Sequence, residues 1–123
     1  MGVREKAIAY HGEGCNCAQS VLCSLEEYTN LPFETAKRIA EGFGGGVRCG
    51  EICGSISGGV MALGMVKAKP INEIVAKYVN VFRQAEGCIR CQELLAKYGG
   101  KGNCNAFIGF CAEEMEKILK SES

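Results

Sequence analysis

The chain has 123 residues, 47% of them hydrophobic and 23% charged, the balance of one folded domain able to bury its own core. Lysine plus arginine and aspartate plus glutamate number 14 each, so a net charge of zero gives no electrostatic reason to expect nucleic acid or an anionic membrane as partner. The amino end, MGVREKAIAYHGEG, lacks an apolar run after its first charges, and no stretch approaches the roughly 18 uninterrupted apolar residues of a membrane span.

In chain order, Val3 to His11 reads as a short charged helix stopped at Gly12-Glu13-Gly14. Cys15 to Tyr28 follows, with Cys17, Val21, Leu25 and Tyr28 on one helical face. Pro32 then opens a helix whose inner face would be Phe33, Ala36, Ala40 and Phe43. Gly42 to Gly46 forms a flexible glycine loop leading through Arg48 and Cys49. Glu51 to Val66 is helical in period, with Ile52, Ile56, Val60 and Leu63 in register. Gly54, Gly58 and Ala62 recur on it at every fourth position; a helical glycine costs about 1 kcal/mol relative to alanine, so tight helix–helix packing is the expected compensation.

Lys67 to Pro70 breaks the chain before the cleanest pattern, Ile71, Ile74, Val75, Tyr78, Val79 and Phe82, which stops at Gly87. Cys91 to Tyr98 is a short helix ended by Gly99-Gly100. After Lys101-Gly102-Asn103, a last helix covers about Asn105 to Leu119 and faces inward with Phe107, Cys111, Met115 and Ile118. No segment sustains a period of two. The expected fold is all-α: a single-domain compact helical bundle over residues 1–123, of about five to seven helices with a Gly-rich interhelical loop.

Nine cysteines against a single histidine are the outstanding feature of the composition. The missing export signal, the odd count and helices able to build a core unaided speak against a disulfide framework. A cytoplasmic setting is expected, where clustered thiols more often bind metal or do redox chemistry. Cys17, Cys53, Cys91 and Cys111 fall on the inward faces of four different helices, so packing those helices around one core could bring four thiols together. Cys15, Cys49, Cys88 and Cys104 each stand just upstream of one of them, in loops or at helix starts where a thiolate is favoured, and are expected to extend the site.

The segments Asn16-Cys17-Ala18-Gln19-Ser20-Val21-Leu22, Gly42-Phe43-Gly44-Gly45-Gly46 and Glu51-Ile52-Cys53-Gly54-Ser55-Ile56-Ser57-Gly58-Gly59-Val60-Met61-Ala62-Leu63-Gly64 resemble the redox-active family named for its C…CGAxxG…C…C pattern, and the match spans nearly the whole chain. The resemblance carries the family's four cysteines onto Cys17, Cys53, Cys91 and Cys111. It implies redox function without fixing a reaction. This chain departs from the pattern at Ser55, where the motif has alanine, and in its five additional cysteines.

Four cysteinyl sulfurs suit an iron–sulfur cluster used for electron transfer with a redox partner protein. Backbone N–H groups of Gly44, Gly45 and Gly46, with Arg48 as a nearby positive charge, would help to bind such a cofactor; unliganded, the same loop is a mobile connection. Cys88-Ile89-Arg90-Cys91 is a CxxC unit leading into a helix, which supports the alternative of a metal-free thiol–disulfide oxidoreductase using Cys88 and Cys91. A structural or carrier site for zinc or another soft metal is the third reading, although the lone His11 argues against the common Cys/His zinc sites. The apolar helix from Ile71 to Phe82 leaves a homodimer open.

Overall fold

The computed structural model describes residues 2–99 and 103–122. Among them the fold is all-α: α1 (Val3–Gly12), α2 (Cys17–Ser24), α3 (Glu26–Thr29), α4 (Phe33–Ala40), α5 (Gly54–Met65), α6 (Ile71–Glu86), α7 (Cys91–Lys97) and α8 (Cys104–Glu122). A 3-10 turn, Glu41–Phe43, and a wide π-type turn, Gly46–Gly50, lead from α4 toward α5. No described helix is long and apolar enough to cross a membrane. The expected stops at Gly100 and Lys101-Gly102 lie outside the described residues.

α2 is the axis of the core, enclosed by α1, α4, α5 and α8, and every residue from Ala18 to Ser24 is buried. Its polar side chains must therefore find partners inside the protein. Gln19 Nε2 donates to the Lys37 carbonyl at 2.9 Å, Ser20 Oγ to the Asn16 carbonyl at 2.8 Å, and Ser24 Oγ to the Val21 carbonyl at 2.7 Å. α5 lies on α2 through its small residues: a Cβ added at Gly58 would stand 2.5 Å from the Ala18 carbonyl oxygen. The Gly54/Gly58 repeat thus serves close packing, as expected. α8 closes the other side with Phe107, Ile108, Ala112, Met115 and Leu119 buried. α1 rides on α8, held by Arg4 to Glu113 at 2.7 Å across a face kept low by Gly109.

Three local departures from the periodic reading have identifiable causes. The expected helix from Cys15 to Tyr28 breaks at Leu25 (φ −101°, ψ 18°) into α2 and α3. Phe43, expected on an inner face, is exposed because the chain tightens into the 3-10 turn after Ala40 and leaves the α4 register. Ile52 is also exposed, because helix α5 starts only at Gly54. The backbone before it is extended and pairs antiparallel with the segment ahead of α7 through an Ile52–Arg90 bridge. α6 forms as its period predicts, yet only Tyr78 and Phe82 are buried, while Ile74, Val75 and Val79 are half-buried and Ile71 is exposed.

Candidate thiol redox centre

Four cysteines stand at four helix starts. Cys17 opens α2, Cys53 is the N-cap of α5, Cys91 opens α7 and Cys104 opens α8. The first turn of a helix has amide N–H groups without intrahelical acceptors and carries the positive end of the helix dipole, so it favours a thiolate over a thiol. Each position is fixed by a local interaction. Asn16 caps α2 in a reciprocal box, its Oδ1 accepting from Gln19 N at 2.9 Å while Gln19 Oε1 accepts from Asn16 N at 2.8 Å. The Asn16 amide also donates to the Glu41 carbonyl at 2.9 Å, tying the start of α2 to the turn beyond α4.

Cys53 and Cys91 are brought together by the short extended pairing. Cys53 N donates to the Ile89 carbonyl at 2.9 Å and Cys91 N to the Glu51 carbonyl at 2.6 Å. Successive residues of an extended segment alternate in face, so Cys53 and Cys91 share the side opposite Ile52 and Arg90. Arg90 and Glu51 clamp the pairing with two hydrogen bonds of 3.2 and 2.9 Å. Cys17 meets the same place because Gly54 has no side chain: a Cβ there would lie 3.3 Å from Cys17 Cβ and 3.1 Å from Ala18 N.

The thiols form a ring of mutual influence. Cys17 hydrogen-bonds the sulfur of Cys104, and this contact, with burial second, holds the Cys17 thiol far above its ordinary range. The same hydrogen bond pulls Cys104 down to about 6, against its burial and with help from the charge of His11. Cys91 is raised by burial and by the neighbouring Cys104. Burial likewise raises Cys53, outweighing the N–H groups of Ser55 and Ile56 that its sulfur accepts, and Cys91 adds to the rise. His11, in the last turn of α1, is held beside Cys104 by its neighbour Asn105, with Nδ1 2.9 Å from Asn105 Oδ1.

Cys104, expected only as an upstream companion, is thus the sulfur that meets Cys17. Cys111 lies deeper in α8, fully buried, where burial raises it well above the ordinary thiol range; the Tyr78 hydroxyl beside it opposes the rise. Cys88 sits half-buried ahead of α7, whereas the thiol of Cys91 is coupled to Cys53 and Cys104. Cys15 and Cys23 are buried near Lys37 and Glu34, and Cys15 adds to the rise that burial imposes on Cys23. Cys49 is exposed, its sulfur donating to the Gly46 carbonyl at 3.5 Å.

The glycine loop is packed at Gly44 and Gly46 and open at Gly42 and Gly45. Gly44 is buried against the Asn16 side chain. Gly45, Gly46, Val47 and Arg48 form a left-handed run with φ of 63°, 65°, 59° and 61°. A Cβ at Gly46 would collide with the Glu51 backbone. The two non-glycine members cost about 1–2 kcal/mol each in that conformation. Arg48 is exposed and donates to the Glu41 carbonyl at 3.2 Å. Two residues that sequence reasoning passed over, Ser55 and His11, stand at the centre: Ser55 favours the thiolate forms of Cys17 and Cys53, and His11 that of Cys104.

Among the described residues, no group of three or more His, Cys, Asp or Glu side chains is placed to hold a metal ion. The described residues thus form a compact helical domain with four cysteines at helix starts. The chain belongs to the family described as "Putative redox-active protein (C_GCAxxG_C_C)", whose model matches residues 15–118. No curated protein and no solved structure matches it.

Proposed function

We propose that this protein is a thiol–disulfide redox protein whose reactive pair is Cys104 and Cys17. The observation that carries the reading is the hydrogen bond from the Cys17 thiol to a Cys104 sulfur that favours the thiolate. In that pair the nucleophile and the resolving thiol are already distinguished. The Cys104 thiolate attacks one sulfur of a disulfide, in a partner protein or a small molecule, and expels the other as a thiolate. Cys17 then gives up its proton to solvent and attacks Cys104 Sγ, releasing the second substrate thiolate. The substrate has gained two electrons, and the protein holds a Cys17–Cys104 disulfide. Cys91 and Cys53, next around the ring, are the nearest sulfurs to which that disulfide could pass.

The test is a glutathione redox titration of protein purified without oxygen, with iron, sulfide and zinc measured on the same sample. A reversible two-electron couple is expected, lost in Cys104→Ser and in Cys17→Ser and retained in Cys88→Ser. Stoichiometric iron with acid-labile sulfide, or a couple that survives in Cys104→Ser, would overturn the reading.

A further inference from the structure

The side chain of Ser55 is fully buried, and its Oγ has no hydrogen-bond partner. A hydroxyl left unpaired in a protein interior costs about 1–3 kcal/mol, so its retention calls for an acceptor that forms at some stage of function. The groups beside it that can become strong acceptors are the thiols of Cys17, against which Gly54 packs, and of Cys53, which caps the same helix. Ser55 lies in the first turn of α5, over the contact that Gly54 makes with Cys17. A hydroxyl has one proton to give, and a thiol accepts it weakly while a thiolate accepts it strongly.

We infer that Ser55 is a positioning residue of the redox centre, whose hydroxyl donates to the Cys17 sulfur as that sulfur becomes the attacking thiolate. The inference rests on the Cys104/Cys17 reading and assigns Ser55 to its second step. Cys104 attacks first, already a thiolate and in contact with Cys17 rather than with Ser55. The proton on Cys17 leaves only when Cys17 attacks Cys104 Sγ, and at that moment negative charge develops beside the Ser55 hydroxyl. One hydrogen bond to a charged group, about 1.5 kcal/mol, corresponds to about a tenfold change in that step.

The two steps can be read apart with an aromatic disulfide that releases a coloured thiolate, used on the full chain with Cys49 and Cys88 replaced by serine. Attack by Cys104 releases the first coloured thiolate and leaves a mixed disulfide. Attack by Cys17 releases the second, together with the Cys17 proton. In Ser55→Ala, which removes only the hydroxyl, the first phase is expected to stay within twofold and the second to slow about tenfold. Ser55→Gly should behave alike and guards against a packing effect peculiar to alanine. An unchanged second phase in both variants, or equal slowing of both phases, overturns the role of Ser55. A parent protein that shows no second phase, with or without Ser55, overturns the dithiol reading itself.

Discussion

A thiolate near neutral pH and a thiol held protonated beside it are two states of one hydrogen bond, and at Cys104 and Cys17 the protein stabilises that asymmetry. With Cys104 lowered to about 6 by the Cys17 hydrogen bond, its thiolate is present above that pH and is lost as the pH falls through it. Alkylation of Cys104 by iodoacetamide should therefore reach half its plateau rate near pH 6, where an ordinary thiol near 9 would still be climbing at pH 8. In Cys17→Ala the donor is gone and the midpoint should move upward by about one unit or more, as expected for a hydrogen bond to a charged group. Peptide mapping of the alkylated cysteine against pH checks both. Sequence periodicity places Cys111 on the inward face of α8 correctly, but a face is not an access route. Cys111 is past the first turn with no free N–H beside it, whereas Cys104 has the helix start, and the sequence sign of that was the Gly102-Asn103 break before an apolar period.

The sulfurs meet because α5 can lie against α2, and that depends on glycine at the crossing. In Gly58→Ala the new methyl would press on the Ala18 carbonyl at 2.5 Å, and overpacking of this kind costs about 1–3 kcal/mol, against at most about 1 kcal/mol recovered from helix propensity. A fall of several degrees in the melting temperature is expected by calorimetry, while the same change at Gly64, which has open space around it, should lower it little or not at all. Helices α1, α4, α6, α7 and α8 were legible in the sequence because local pattern and breakers coincide, whereas the one helix expected from Cys15 to Tyr28 is two, α2 and α3. The extended segment before α5 was not, because Ile52 and Ile56 also satisfy a helical period. What decides it is pairing with the segment at Ile89–Cys91, a contact between distant parts of the chain that no local window contains. The CxxC spacing was equally visible, but the same pairing turns Cys91 toward Cys53 and Cys104.

At the scale of the molecule, two effects act on the oxidised and reduced forms in opposite directions. A bond between residues 17 and 104 would close most of the chain into a loop and restrict the unfolded state, on the order of 4–5 kcal/mol at most. The reduced fold has its own support, the low-lying thiolate of Cys104, which contributes above about pH 6 and is absent once the sulfur is protonated or bridged. The oxidised protein should therefore melt above the reduced one, and the gap should narrow as pH rises from 5 to 8. Calorimetry with and without a reductant across that range checks this, and a gap that is zero throughout would mean no such bond forms. The all-helical class and the single domain followed from composition and period. The convergence of four helix starts did not, because it depends on how elements from the whole length of the chain pack around α2.

The packing of α1 on α8 then acquires a topological meaning. Once Cys17 is joined to Cys104, the polypeptide is a ring with two tails, α1 leaving it on one side and the rest of α8 on the other. Arg4 and Glu113, 2.7 Å apart, clip those tails to each other outside the ring. A single nick anywhere inside the ring then leaves one covalent molecule, while the same nick in the reduced protein leaves two. The redox state of one pair of sulfurs thus becomes readable as a number of pieces.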